Sequence, residues 1–128
     1  MKLRIRGNSI RLRLTRTEVA AFGETGTVVE TVEFEPSLAV FRYELNRSSK
    51  DTLISARFED NCLSIFVPVQ EAENWIGSED VGIEALHPIG DSRFLRILVE
   101  KDFACLTPRE NEDETDTFTH PFAKVTCR

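Results

Sequence analysis

Four arginines near the N-terminus, Arg4, Arg6, Arg11 and Arg13, stand at alternate positions on either side of Gly7-Asn8, together with Lys2. If Gly7-Asn8 is a two-residue turn, Arg4 lies opposite Arg11 and Lys2 opposite Arg13 on one face of a β-hairpin, because strand side chains alternate with period two. Like charges directly opposed repel unless something neutralises them. The intramolecular neutralisers in view are Glu33, Glu35 and Glu44 on the polar face of neighbouring strands, or the acidic C-terminal stretch folded across. The functional one is an anion: the planar guanidinium fork suits a phosphate or carboxylate better than an ammonium does. Arg4, Arg6, Arg11 and Arg13 are therefore the candidate ligand-binding residues.

A second set concerns proton transfer. Glu30 interrupts the apolar residues Val28 and Val32, and a turn at Pro36-Ser37 places it opposite Tyr43. His87 follows Ile83 and Ala85 on the corresponding face of a later strand. A Glu, a Tyr and a His lining one cavity can do acid–base work, and they are the candidate catalytic residues. The plainer reading is a strand acid facing water and a histidine that starts a loop before Pro88. Cys105, His120 and Cys127 lack the short paired spacings of a structural zinc site, so no metal is expected. Nothing resembles a phosphate loop or a Ser-His-Asp order, Cys62 has no recognisable base nearby, and no cofactor is implied.

The elements that must carry these residues recur. Residues 3–22 match residues 56–75 in pattern at an offset of 53, pairing Ile5, Ile10, Leu12 and Leu14 with Phe58, Leu63, Ile65 and Val67. Further on the offset reads as 56, setting Phe41 and Tyr43 on Ile97 and Val99. Each half then reads strand, strand, helix, strand, strand. The first hairpin turns at Gly7-Asn8 and its counterpart at Asp60-Asn61, and in both the apolar sets of the two strands fall on one face, so a slip of one residue would expose them. Thr15 and Glu18 have the capping-box spacing, with Gly23 as the helix stop. Pro68 suits the first position of the second helix, Ala72, Trp75 and Ile76 form its apolar stripe with Trp75 as a core anchor, and Gly77 ends it. The remaining strands run through Val28 to Phe34, Ala39 to Leu45, Val81 to Ile89 and Arg93 to Glu100.

The expected class is α+β, mainly β: about eight antiparallel strands in two strand-strand-helix-strand-strand repeats, forming a closed or partly closed barrel with two short helices. Closure would remove exposed edges. A chain of 128 residues fits one domain, with repeat one over 1–46, repeat two over 53–102 and an acidic tail over 103–128. The net charge is −6, yet the first sixteen residues hold six bases and no acid. The acidic remainder argues against nucleic acid as a partner. No apolar run reaches membrane-spanning length and no signal peptide is visible, so the expectation is a cytoplasmic protein without a membrane role. Three widely spaced cysteines exclude a complete disulfide framework. Glu110, Glu112, Asp113, Glu114 and Asp116 form a self-repelling block expected to remain solvated.

The stretches MKLRIRGNSIRLRLTRTEV and RILVEKDFACLTPRENEDETD together resemble an uncharacterised bacterial family of short proteins known only as a domain of unknown function. That resemblance spans nearly the whole chain and implies no activity, cofactor or catalytic residue. Small eight-stranded barrels also suggest triphosphate tunnel enzymes, whose N-terminal Glu-x-Glu-x-Lys motif is replaced here by Lys-Leu-Arg-Ile-Arg at residues 2–6. The function expected on these grounds is a non-catalytic binding or interaction module. An enzyme or sensor for a small anionic metabolite comes second, and a structural homodimer subunit third.

Overall fold

The computed structural model describes residues 1–102. Strand β1 (Lys2–Arg6), strand β2 (Ser9–Leu14), helix α1 (Arg16–Thr25), strand β3 (Thr27–Glu35) and strand β4 (Ala39–Ser48) make the first half. The second repeats that order with β5 (Ser55–Glu59), β6 (Cys62–Pro68), α2 (Val69–Ile76), β7 (Gly82–Gly90) and β8 (Arg93–Lys101). The strands lie in two four-stranded sheets, β1-β2-β8-β7 and β3-β4-β6-β5. Neither sheet closes, so the expected barrel is not formed: β1, β7, β3 and β5 are edges.

Hairpin registers follow the alternation. Lys2 faces Arg13, Leu3 faces Leu12 and Arg4 faces Arg11, while Ala56 faces Ile65 and Phe58 faces Leu63. Asp60 and Asn61 both sit at positive φ, the conformation a tight two-residue turn demands, and Gly7 does the same at its own turn. The turn after β3 takes three residues, with Ser37 left-handed, and a bulge between Glu33 and Glu35 absorbs the extra one. Glu30 therefore still faces Tyr43. A bulge recurs at the corresponding place, between Pro88 and Gly90.

Not all pairing is antiparallel. β2 runs parallel to β8, setting Leu12 beside Val99, and β4 runs parallel to β6, setting Leu45 beside Ile65. Each half sends its first hairpin to one sheet and its second to the other, the helix carrying the chain across. Both hairpins of a sheet then turn at the same end, which makes the strands that join them parallel. These registers equate Arg42, Tyr43 and Leu45 with Arg96, Ile97 and Val99, an offset two residues shorter than the pattern match suggested for this stretch.

The two sheets share one core of Ile10, Leu12, Leu14, Leu45, Leu63, Ile65, Val67, Ile97 and Val99, closed at one end by Phe22 of α1 and by Ala72 and Trp75 of α2. Thr15 and Glu18 form the capping box. α1 does not stop at Gly23 but runs to Thr25 and ends on Gly26, whose positive φ lets its N–H donate to the Phe22 carbonyl at 2.9 Å. Arg47 completes that terminus: Nη1 donates to the Gly23 carbonyl at 3.0 Å, placing a cation at the negative end of the helix. Pro68 serves as the cap of α2, one residue earlier than expected, and Gly77 ends it. All four hairpin turns lie at the opposite end of the sheets from the helices.

Candidate functional site

The basic rows of β1 and β2 occupy the face turned away from the core, since Ile10, Leu12 and Leu14 take the other parity. A shallow groove of about 310 Å³ there is lined by Lys2, Leu3, Arg4, Arg11 and Arg13. Among the described residues the acid that meets Arg11 and Arg13 is Glu100 of β8, with its carboxylate 3.5 Å from Arg11 Nε and 3.7 Å from Arg13 Nη2. The expected neutralisers are elsewhere. Glu33, Glu35 and Glu44 belong to the other sheet, and Glu44 accepts from Ser64 Oγ at 2.9 Å and from Cys62 Sγ at 3.3 Å. Glu100 was out of reach of sequence reasoning because only the parallel β2–β8 pairing sets it opposite Arg13. Arg6 lies beside the turn, exposed, with its carbonyl accepting from Ser9 Oγ at 2.7 Å.

Arg13 is unusual among these cations. It is 7 % exposed, and its Nε is a buried side-chain nitrogen with no hydrogen-bond partner among the described residues. Glu100 supplies charge at 3.7 Å but no hydrogen bond at that distance. Phe66 holds the corresponding place in β6, with the Arg57 guanidinium 5.1 Å from its ring centre, and is only half-buried.

Glu30 and Tyr43 do come together, around the N-terminus. The Met1 ammonium contacts the carboxylates of Glu18 and Glu30, the latter at 2.8 Å, and Tyr43 Oη donates to the Met1 carbonyl at 2.9 Å. Burial opposes the ammonium charge, but the two carboxylates outweigh it and raise the amine's pKa. Burial likewise opposes ionisation of Glu18, and is outweighed by the ammonium and the Thr15 donors, which lower its pKa. Burial, then the negative charges of Glu30 and Glu18, pushes Tyr43 up. His87 does not join them. It faces Leu95 near the turn end and borders a different hollow, so the Glu-Tyr-His acid–base set is not assembled.

The ammonium cluster has a pH signature. A raised amine pKa contributes stability that is complete below the unfolded value, about 8, and is lost as pH rises through the folded one. The lowered Glu18 pKa contributes stability that is present above the unfolded value and is lost as pH falls through the folded one. Urea midpoints are expected to decline on both sides of neutrality, and Glu18→Gln, which can still cap the helix, should flatten the alkaline limb. An unchanged alkaline slope in that variant would show that other groups set it.

The hollow beside His87 lies between the sheets at the turn end. It has a volume of about 420 Å³, with Ile10, Phe41, Leu63 and Leu95 among its walls and Ile5, Phe58 and Ile89 around it. The inner rows of the strands run on past the packed core here. Phe34 is 74 %, Leu38 80 %, Phe58 65 % and Ile5 61 % exposed. At the helix end a larger hollow of about 860 Å³ is lined by Leu14, Val19, Ala20 and Ile76, with Arg16, Ser78, Glu79, Lys101 and Asp102 beside them.

Cys62, on the outward parity of β6, is a hydrogen-bonded thiol whose pKa is raised, by burial first. Among the described residues no group of three or more His, Cys, Asp or Glu side chains is placed to hold a metal ion. Cys105, His120, Cys127 and the acidic block fall outside the described residues. No helix among the described residues is long and apolar enough to cross a membrane. A family model described as a family of unknown function (DUF7009) matches residues 1–122. No curated protein and no solved structure matches the chain.

Proposed function

We propose that this chain, which belongs to the DUF7009 family of unknown function, is a non-catalytic interaction module whose open turn end associates with a second copy. The observation that carries this reading is the exposure of Ile5, Phe34, Leu38 and Phe58 at one end of the sheets, next to an apolar hollow. Soluble monomers seldom present large side chains of this kind side by side. Knob and hole lie on the same surface: Phe34 and Leu38 project from the β3–β4 hairpin, and the hollow opens between the sheets. A two-fold axis can therefore seat the projections of each copy in the hollow of the other, as an isologous interface requires. His87 borders the turn-end hollow, while Glu30 and Tyr43 meet at Met1.

Size-exclusion chromatography with light scattering across a concentration series is expected to show a dimer that dissociates on dilution. Phe34→Ser with Leu38→Ser should leave a monomer at every concentration, with a urea midpoint that no longer rises with concentration and equals that of the dilute wild-type monomer, because both side chains are exposed. A wild-type chain that stays monomeric at high concentration would overturn the reading.

A further inference from the structure

We propose that the basic outer face of β1 and β2 is the docking site of the chain's own acidic segment, Glu110–Asp116. Three observations carry this independently of the turn end. The first is the state of Arg13: a guanidinium on the non-core face of an open sheet, 7 % exposed, with a buried Nε that no described group satisfies. Leaving a buried charged donor without an acceptor is costly, and a carboxylate is the acceptor that suits it best.

The second is charge. Lys2, Arg4, Arg11 and Arg13 line the groove, and the acids set beside them are Glu100 and, at Lys2, Asp102. Five acids lie between positions 110 and 116. The third is the path of the chain. Asp102 donates its N–H to the Leu14 carbonyl at 2.7 Å and carries a carboxylate oxygen 3.3 Å from Lys2 Nζ, so the segment leaves the fold one residue from Arg13. The eight residues from there to Glu110 reach about 26 Å when extended, and Arg11 and Arg4 lie within that distance. Attachment so close by gives the segment a high effective concentration at the face, which is closed to other anions until the segment is displaced.

The test uses the full chain with Cys62, Cys105 and Cys127 replaced by Ser and a nitroxide attached through Asn111→Cys. In 10 mM salt, where the Debye length is about 30 Å, the backbone amides of Arg4, Arg11 and Arg13 are expected to lose most of their NMR intensity, and in 1 M salt, where it is about 3 Å, to regain it. Without the label, replacing Glu110, Glu112 and Glu114 by Gln and Asp113 and Asp116 by Asn should lower the melting temperature at low salt. In an Arg11→Gln, Arg13→Gln background the same replacements should change it far less. Broadening confined to other surfaces, or absent, overturns the proposal, as does a melting temperature that the acid replacements leave unchanged or raise.

Discussion

Trp75→Ala is expected to remove about 3–5 kcal/mol of stability, a large part of what a domain of this size has. Trp75 is 1 % exposed. Its ring meets Phe22 edge-on, with centroids 6.3 Å apart and planes at 64°, and this contact joins α2 to α1 over the end of the core. Its indole N–H donates to the Val81 carbonyl at 3.2 Å, fixing the entry to β7, and the Lys101 ammonium lies 5.6 Å from the ring centre. Alanine would leave a cavity between two helices whose backbones are held by neighbouring strands and cannot collapse far. Trp75→Phe should cost less, because it retains most of the volume and loses the N–H donor. Phe58→Ala supplies the contrast: an aromatic residue 65 % exposed should change the monomer's urea midpoint little. If Trp75→Ala and Phe58→Ala had similar midpoints, the helices would not be closing the core as described.

Gly82→Ala comes next, at about 1–3 kcal/mol, the usual cost of forcing extra atoms into a packed site. A Cβ on Gly82 would stand 2.9 Å from the Val99 carbonyl oxygen and 3.0 Å from Glu100 Cγ. The first of these is backbone and cannot rotate away, so β7 must separate from β8. The disturbance would also pass through Glu100 to Arg11 and Arg13. A lower urea midpoint together with a shifted Arg13 Nε resonance is the expected result. A variant as stable as the wild type would show that the two strands have room to part.

The local grammar was legible along the chain. Alternation of apolar residues specified which faces of β2 and β6 are buried, Gly7-Asn8 and Asp60-Asn61 marked the turns, and Thr15 with Glu18 marked the start of α1, because each depends on neighbours a few residues apart. The end of α1 is not legible locally, since Gly23 is an adequate stop by its neighbours and only Gly26, held against Arg47, shows where the helix finishes. The register that sets Glu30 opposite Tyr43 was also within reach, and the Met1 ammonium between Glu18 and Glu30 was not.

What tertiary structure decided was the partner of each hairpin. Two hairpins with the same alternation can pair within their own half or exchange across a helix, and the period of two is satisfied either way. The exchange produced the parallel contacts β2–β8 and β4–β6, brought Glu100 to Arg11 and Arg13, put Glu44 in the other sheet, and separated His87 from Glu30. Such pairings are settled by how two sheets and two helices fill one common volume, a condition on distant residues that no local spacing encodes.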